Sequence, residues 1–324
     1  MKARNPATFD LKIRMNDIDI LVSEVGPRDG LQSIEAVLPT AVKVEWIRAQ
    51  AAAGFREIEV GSFVPPKLLP QMADTADVVA TARKLPGLGV AVLVPNLKGA
   101  ENAIAAGAHK ISIPFSVSET HSLKNVRKTH DEMIAEVSLI AERVGDVPPE
   151  SRPHFEAGLS TAFGCTLEGR ISEDLVVRSA ERLMDAGVAE VGLSDTTGYA
   201  NPGQVKRLVR RIQAAVGSDN ITGVHLHNTR GLGLANALAA IEEGITTIDS
   251  SLGGIGGCPF APGASGNIVT EDLVFMLEAM GLRTGIDIEK LLEVRTILRA
   301  ALPDEPLYGF IPDAGIPKGF NQAA

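Results

Sequence analysis

The 324-residue chain is 45% apolar and 22% charged, a balance that excludes a mainly disordered protein. Its net charge of −9 disfavours nucleic acid as a general partner. No apolar run approaches the roughly 20 residues that cross a bilayer, so no membrane association is expected. Two cysteines, Cys165 and Cys258, allow one disulfide at most. Such sparse use is typical of a reducing compartment. Residues 1–20 lack a signal-peptide apolar core, and the expectation is a soluble cytoplasmic protein.

In chain order, short aliphatic segments at 20–25, 57–63, 90–95, 110–115, 154–160, 190–195, 222–227 and 246–252 read as strands. Helical patterns fall between them, for example at 41–53, 172–186, 204–216 and 232–243. Strands alternating with helices predict βα units and a parallel sheet. Gly54, Gly107, Gly187 and Gly244 each precede an apolar strand residue by four positions: Ile58, Ile111, Val191 and Ile248. Glycine suits the left-handed position just past a helix end, so these mark helix-to-strand turns before alternate strands. An open doubly wound sheet can use the same turns. Thr40 and Ser172 are expected to cap helices, and Thr270-Glu271-Asp272 to begin one. The basic cluster Lys206, Arg207, Arg210 and Arg211 reads as a solvated helix face. A further helix is expected at 288–301, followed by a Pro/Gly-rich tail at 303–320 packed on the barrel. The expected fold is a TIM (β/α)8 barrel over about 19–285 with a C-terminal helical extension over about 286–324, all in one domain.

Active sites of such barrels lie at the C-terminal ends of the strands. Polar residues concentrate there: Arg28 and Asp29 after the first strand, Glu59 and Ser62 on the second, Asn96 after the third. Ser194 and Asp195 follow on the sixth, and His225 and His227 on the seventh. Two histidines two apart on a strand share one face and make half of a metal site. Two incidental, partly exposed histidines are the plain alternative. Asp29 on the same barrel face favours the metal reading, and an oxygen-plus-imidazole set suits Mg²⁺, Mn²⁺ or Zn²⁺. The lack of cysteine ligands argues against a structural zinc.

Residues 253–267 form a glycine-rich loop without the P-loop lysine and outside a Rossmann context. It is either a plain mobile loop or a lid whose Cys258 donates a proton. Cys165 reads as a small residue in a turn. Glu59 and Asp195 either cap loop amides or act on a substrate. Arg28 either pairs locally with Asp29 or faces a developing oxyanion.

Residues 24–32 (EVGPRDGLQ), Ile58-Glu59 with 62–67 (SFVPPK), 95–99 (PNLKG), His225-Leu-His227 and 256–267 (GGCPFAPGASGN) resemble the hydroxymethylglutaryl-CoA lyase family. The likeness runs from about residue 19 to 295. The Arg-Asp-Gly and His-x-His elements are shared with the wider group of Claisen-type enzymes that includes isopropylmalate and homocitrate synthases.

The resemblance implies cleavage of 3-hydroxy-3-methylglutaryl-CoA to acetyl-CoA and acetoacetate, and a homodimer. It implies Mg²⁺ or Mn²⁺, with Zn²⁺ as a third option, held by Asp29, His225, His227 and Asn267. Arg28 would stabilise the enolate oxygen, Glu59 and Asp195 would flank the substrate hydroxyl, and Cys258 would move a proton from a closing loop. Asn125 falls where the family contacts the CoA ester, and Gln32, Ser62, Asn96 and Arg230 complete the expected substrate-binding set. Some positions depart from the pattern, and the tail at 303–320 has no counterpart in it. Asn228-Thr-Arg230 stands where Asp-Thr-Tyr is usual, Gly158 replaces an aromatic, and residues 160–166 change the lining of a turn. The alternatives are a lyase for a related thioester such as citramalyl-CoA, a condensing synthase, and a non-catalytic acyl-CoA-binding barrel.

Overall fold

The computed structural model describes residues 17–256 and 266–323. Eight parallel strands close in chain order: β1 Leu21–Glu24, β2 Glu57–Ser62, β3 Gly89–Leu93, β4 Lys110–Ser116, β5 His154–Ser160, β6 Glu190–Asp195, β7 Gly223–Leu226 and β8 Thr247–Ser250. β1 pairs with β8 and seals the barrel, so the expected TIM barrel is the fold found. The surrounding helices are α1 Thr40–Ala52, α2 Thr75–Ala82, α3 Leu97–Ala106, α4 Glu119–Asn125, α5 His130–Gly145, α6 Glu173–Asp185, α7 Pro202–Val216, α8 Gly233–Ile241 and α9 Thr270–Ala279. Then follow α10 Ile288–Ala301 and the short α11 Ile311–Ala314. No described helix is long and apolar enough to cross a membrane.

The strands alternate two kinds of residue because successive side chains point to opposite faces. Val22, Ile58, Val90, Val92, Ile111, Ile113, Phe155, Leu159, Val191, Leu193, Val224 and Ile248 are all buried beneath the helices. This layer is the hydrophobic core. The other face lines the lumen and is unusually polar for a barrel that more often packs branched aliphatics there. It carries Ser23, Glu57, Glu59, Lys110, Ser112, His154, Glu156, Glu190, His225 and Asp249. At the N-terminal end of the lumen, Lys110 Nζ pairs with Glu57 at 3.2 Å and Glu156 at 2.8 Å. There too His154 meets Glu190 at 3.0 Å. Buried charges persist when paired this way.

The four turn glycines all have positive φ. At Gly54 the requirement is twofold: φ is +110°, and an added Cβ would lie 2.1 Å from the Gly285 carbonyl oxygen. The expected caps are corrected in detail. Thr40 lies inside α1, and its hydroxyl donates to Asp74 Oδ2 at 2.8 Å. Ser172 occupies the N-cap position of α6 but accepts no side-chain cap bond. Thr270 starts α9, with its hydroxyl directed to Glu24 Oε2. The basic cluster on α7 is a solvated face laced to its neighbours, with ion pairs Lys206–Glu242, Arg207–Glu173, Arg210–Glu243 and Arg211–Asp174. Pairs this exposed contribute little individually.

The tail lies against α9 and α10. Asp272 accepts the Phe310 and Ile311 N–H groups at 2.9 Å each, and Phe320 stacks on Phe275 at 5.1 Å between ring centroids. Cys165 is buried and carries no disulfide. Cys258 lies outside the described residues.

Candidate active site

After β1 the chain winds into a single π-helical turn, Gly26–Gly30, with Pro27 at its start. Such wide turns are frequent at functional sites. It is pinned by Glu24, which accepts from Gly26 N at 2.9 Å, Leu252 N at 2.9 Å and Thr270 Oγ1 at 2.8 Å. The turn after β1 is thereby tied to the segment after β8. Burial lifts the Glu24 carboxyl to about 7 despite these donors.

The turn presents Arg28 and Asp29, both buried. Arg28 Nη1 donates to Asp29 Oδ1, and its Nε to Glu59 Oε2, each at 2.5 Å. Ser112 on β4 donates to the other Glu59 oxygen at 3.1 Å. Gln32 Nε2 also donates to Asp29 Oδ1, at 3.0 Å. Asp29 Oδ2 receives Asn267 Nδ2 at 2.7 Å and lies 3.9 Å from His225 Nε2 and 4.0 Å from His227 Nε2. The two imidazole Nε2 atoms are 3.1 Å apart. His227 falls just past β7, where it bridges to Asn267 and so draws the post-β8 segment over the site.

Ligand atoms of Asp29, His225 and His227 all lie within 4.8 Å of one another, which suits a metal ion. The donor chemistry fits as well. Asn267 Oδ1, on the amide whose nitrogen already donates to Asp29, is buried without a hydrogen-bond partner among the described residues, and a buried orphan costs stability unless something satisfies it. A second group with comparable spacing, His154, Glu156 and Glu190, sits at the far end of the lumen. There Lys110 and Thr222 already engage its carboxylates.

The electrostatics agree with a cation site. Burial would raise the Asp29 carboxyl, but the Arg28 charge and the two imidazoles hold it at about 2. Burial, then the His225 charge, lowers His227 to about 4, which leaves it neutral and ligand-ready near pH 7. Burial pushes the Glu59 carboxyl up against the pull of Arg28.

The remaining expected residues scatter around this centre. A β-bulge between Glu59 and Gly61 shifts the alternation by one, so that Ser62 pairs with Leu93 and turns to the lumen face. The Ser62 hydroxyl is buried and has no hydrogen-bond partner among the described residues. Asp195 ends β6, and its two oxygens accept Tyr199 N at 2.8 Å and Ala200 N at 3.0 Å. Burial lifts it to about 6 against those amides. Arg230 donates to the Thr197 and Gly198 carbonyls at 2.9 and 3.0 Å and lies 4.6 Å over the Tyr199 ring. Asn96 caps α3 by accepting Gly99 N at 2.9 Å, and Asn125 is exposed at the end of α4. No hydrogen bond links either to the cluster among the described residues.

Sequence reasoning passed over two participants. Glu24 opened a motif but had no assigned task. Asp249 lay inside a predicted strand, and its contact with His225, at 3.1 Å, depends on which residues face one another across β7 and β8.

The family model described as HMGL-like matches residues 19–298. A hydroxymethylglutaryl-CoA lyase of Bacillus subtilis is 41% identical over 84% of this chain and 90% of its own length. The mitochondrial hydroxymethylglutaryl-CoA lyase of Mus musculus is 40% identical over 87% and 86% respectively. The structure of an HMG-CoA lyase from Acinetobacter baumannii, in complex with coenzyme A and 3-methylmalate, superimposes with a TM-score of 0.85 at 40% identity, covering 93% of this chain and 97% of that one. The chain belongs to the HMGL-like family.

Proposed function

We propose that the protein is a divalent-metal-dependent carbon–carbon lyase that cleaves 3-hydroxy-3-methylglutaryl-CoA to acetyl-CoA and acetoacetate. The observation that carries this reading is the convergence of Asp29, His225 and His227 beside the buried Arg28–Glu59 pair, in a chain about 40% identical to enzymes named for that reaction. Asp29, His225, His227 and Asn267 would hold the ion, and their oxygen-plus-imidazole character supports Mg²⁺ or Mn²⁺. When bound, the ion supplies Lewis-acid polarisation of the C3 hydroxyl and an acyl carbonyl.

The protein's own groups carry the rest. A carboxylate, Asp195 or Glu59, takes the C3 hydroxyl proton. The oxygen electrons form the ketone of acetoacetate, and the C2–C3 pair moves onto the thioester as an enolate. Arg28 is held at Nε and Nη1 by two carboxylates, which leaves its Nη2 edge to face the enolate oxygen. Cys258 returns a proton to C2. Gln32, Ser62, Asn96, Asn125 and Arg230 would make up the substrate-binding set.

One observation favours a second reading with the same chemistry and a different acid. An added Cβ at Gly158 would meet nothing within 4 Å, so there is open space at this strand position. A related thioester such as citramalyl-CoA fits that reading. Incubation with a panel of 3-hydroxyacyl-CoA thioesters decides between them. Rapid turnover of hydroxymethylglutaryl-CoA, with none of citramalyl-CoA, is expected; the reverse order overturns the first assignment.

A further inference from the structure

We infer that Asp249 is a positioning residue of the metal centre: its carboxylate fixes the His225 imidazole in the orientation that presents Nε2 to the ion. This rests on the metal-centre reading of Asp29, His225 and His227.

The contact is built into the sheet. The β7–β8 register pairs His225 directly with Asp249, and both point into the lumen. In a parallel pair, residues in register on one face are side-chain neighbours, so the backbone sets the approach before any side-chain choice. Asp249 Oδ2 lies 3.1 Å from His225 Nδ1. No other hydrogen bond engages either atom among the described residues. Accepting from Nδ1–H holds the ring, leaves the Nε2 lone pair toward Asp29 and His227, and raises its strength as a ligand.

His227 is the internal contrast. Its Nδ1 is buried without a partner among the described residues, so among these only His225 is held from behind. The two histidines are therefore unequal: His225 is oriented in advance, whereas His227 is placed by the strand end and its bridge to Asn267. Removal of a carboxylate behind a ligating histidine typically costs roughly 10–100-fold in metal affinity.

The test is Mn²⁺ titration of chelator-stripped protein, with free Mn²⁺ followed by its EPR signal. It compares the wild type, Asp249→Asn, Asp249→Ala and His225→Ala. The wild type is expected to take up one Mn²⁺ per chain. Asp249→Ala is expected to bind roughly 10–100-fold more weakly. Asp249→Asn, which keeps an acceptor oxygen but not the charge, should fall between. Urea midpoints of the metal-free proteins and imidazole ¹⁵N shifts accompany the titration. A merely structural Asp249 would move the midpoint and leave the affinity of the folded protein unchanged. With Asp249 as a positioning residue, the affinity falls and the His225 Nδ1 signal moves. Wild-type affinity in both Asp249 variants, with His225→Ala weakened, overturns the inference alone. A wild type that binds no Mn²⁺, or a His225→Ala that binds normally, overturns the metal-centre reading and this inference with it.

Discussion

Arg28 has two of its nitrogens bound to carboxylates in a buried site, and the planar guanidinium is what allows this. Its Nε reaches Glu59 and its Nη1 reaches Asp29, at 2.5 Å each, so the direction of the remaining edge is set by the fork. A lysine in its place keeps the charge and loses the geometry. Arg28→Lys is therefore expected to lower kcat by about 10²–10³-fold, the scale of a lost oxyanion donor, while Mn²⁺ affinity stays near that of the wild type. Near-normal turnover would remove Arg28 from the enolate. Asp195 yields a pH prediction. Its buried carboxyl titrates near 6, so as the base it is competent only above that pH. kcat/KM should fall on the acid side with an apparent pKa near 6, and Asp195→Asn should lose both activity and that limb. A limb unchanged in the variant would assign the base to Glu59. The stability sign is opposite: between the ordinary 3.8 and about 6 the folded state holds the extra proton, so this group's contribution declines as pH rises through that window.

At the level of elements, the eight strands were legible to within two residues at each end, because aliphatic segments mark all of them and helix-ending glycines mark four of them a second time. What could not be read was register. The bulge in β2 turns Ser62 to the lumen, and pairing across β7 and β8 brings Asp249 to His225. Neither follows from spacing along the chain. One cap was misread for a related reason: the Thr40 hydroxyl, expected to cap α1, found a distant partner at Asp74, whereas Thr270 begins α9 as expected. Asn96 shows the converse, with a motif position engaged as an ordinary helix cap. The lumen cluster on β2, β4, β5 and β6 also went unread, although each of its residues begins or nearly begins a strand. Lys110 is buried between Glu57 and Glu156, and Lys110→Met leaves two carboxylates without their cation. A loss of about 3–5 kcal/mol in urea unfolding is expected, the cost of breaking a buried pair by removing one partner. A variant as stable as the wild type would mean the cluster is dispensable. Burial would raise Glu190, but the His154 hydrogen bond and the Lys110 charge hold it at about 2. Its contribution is therefore full above 4.5 and is lost as pH falls through about 2.

For the molecule as a whole, the barrel separates two tasks that many barrels combine. Aliphatic side chains between sheet and helices supply the core, and the lumen is left to polar groups, satisfied by one another at the N-terminal end and open to chemistry at the other. The closing β1–β8 seam matters most for the site. It brings Arg28 and Asp29, early in the chain, against Asn267, 238 residues later than Asp29, and Glu24 ties the same two segments from behind. The family resemblance made the site residues legible in kind, and closure of the barrel explains why residues so distant meet. Metal-dependent cleavage of hydroxymethylglutaryl-CoA is the central claim, and the most direct measurement is product formation by purified protein before chelation, after it, and after Mn²⁺ or Mg²⁺ is restored. Acetyl-CoA and acetoacetate are predicted in equal amounts, abolished by chelation and recovered with the metal. Turnover indifferent to chelation, or thioester consumed without acetoacetate, would contradict it.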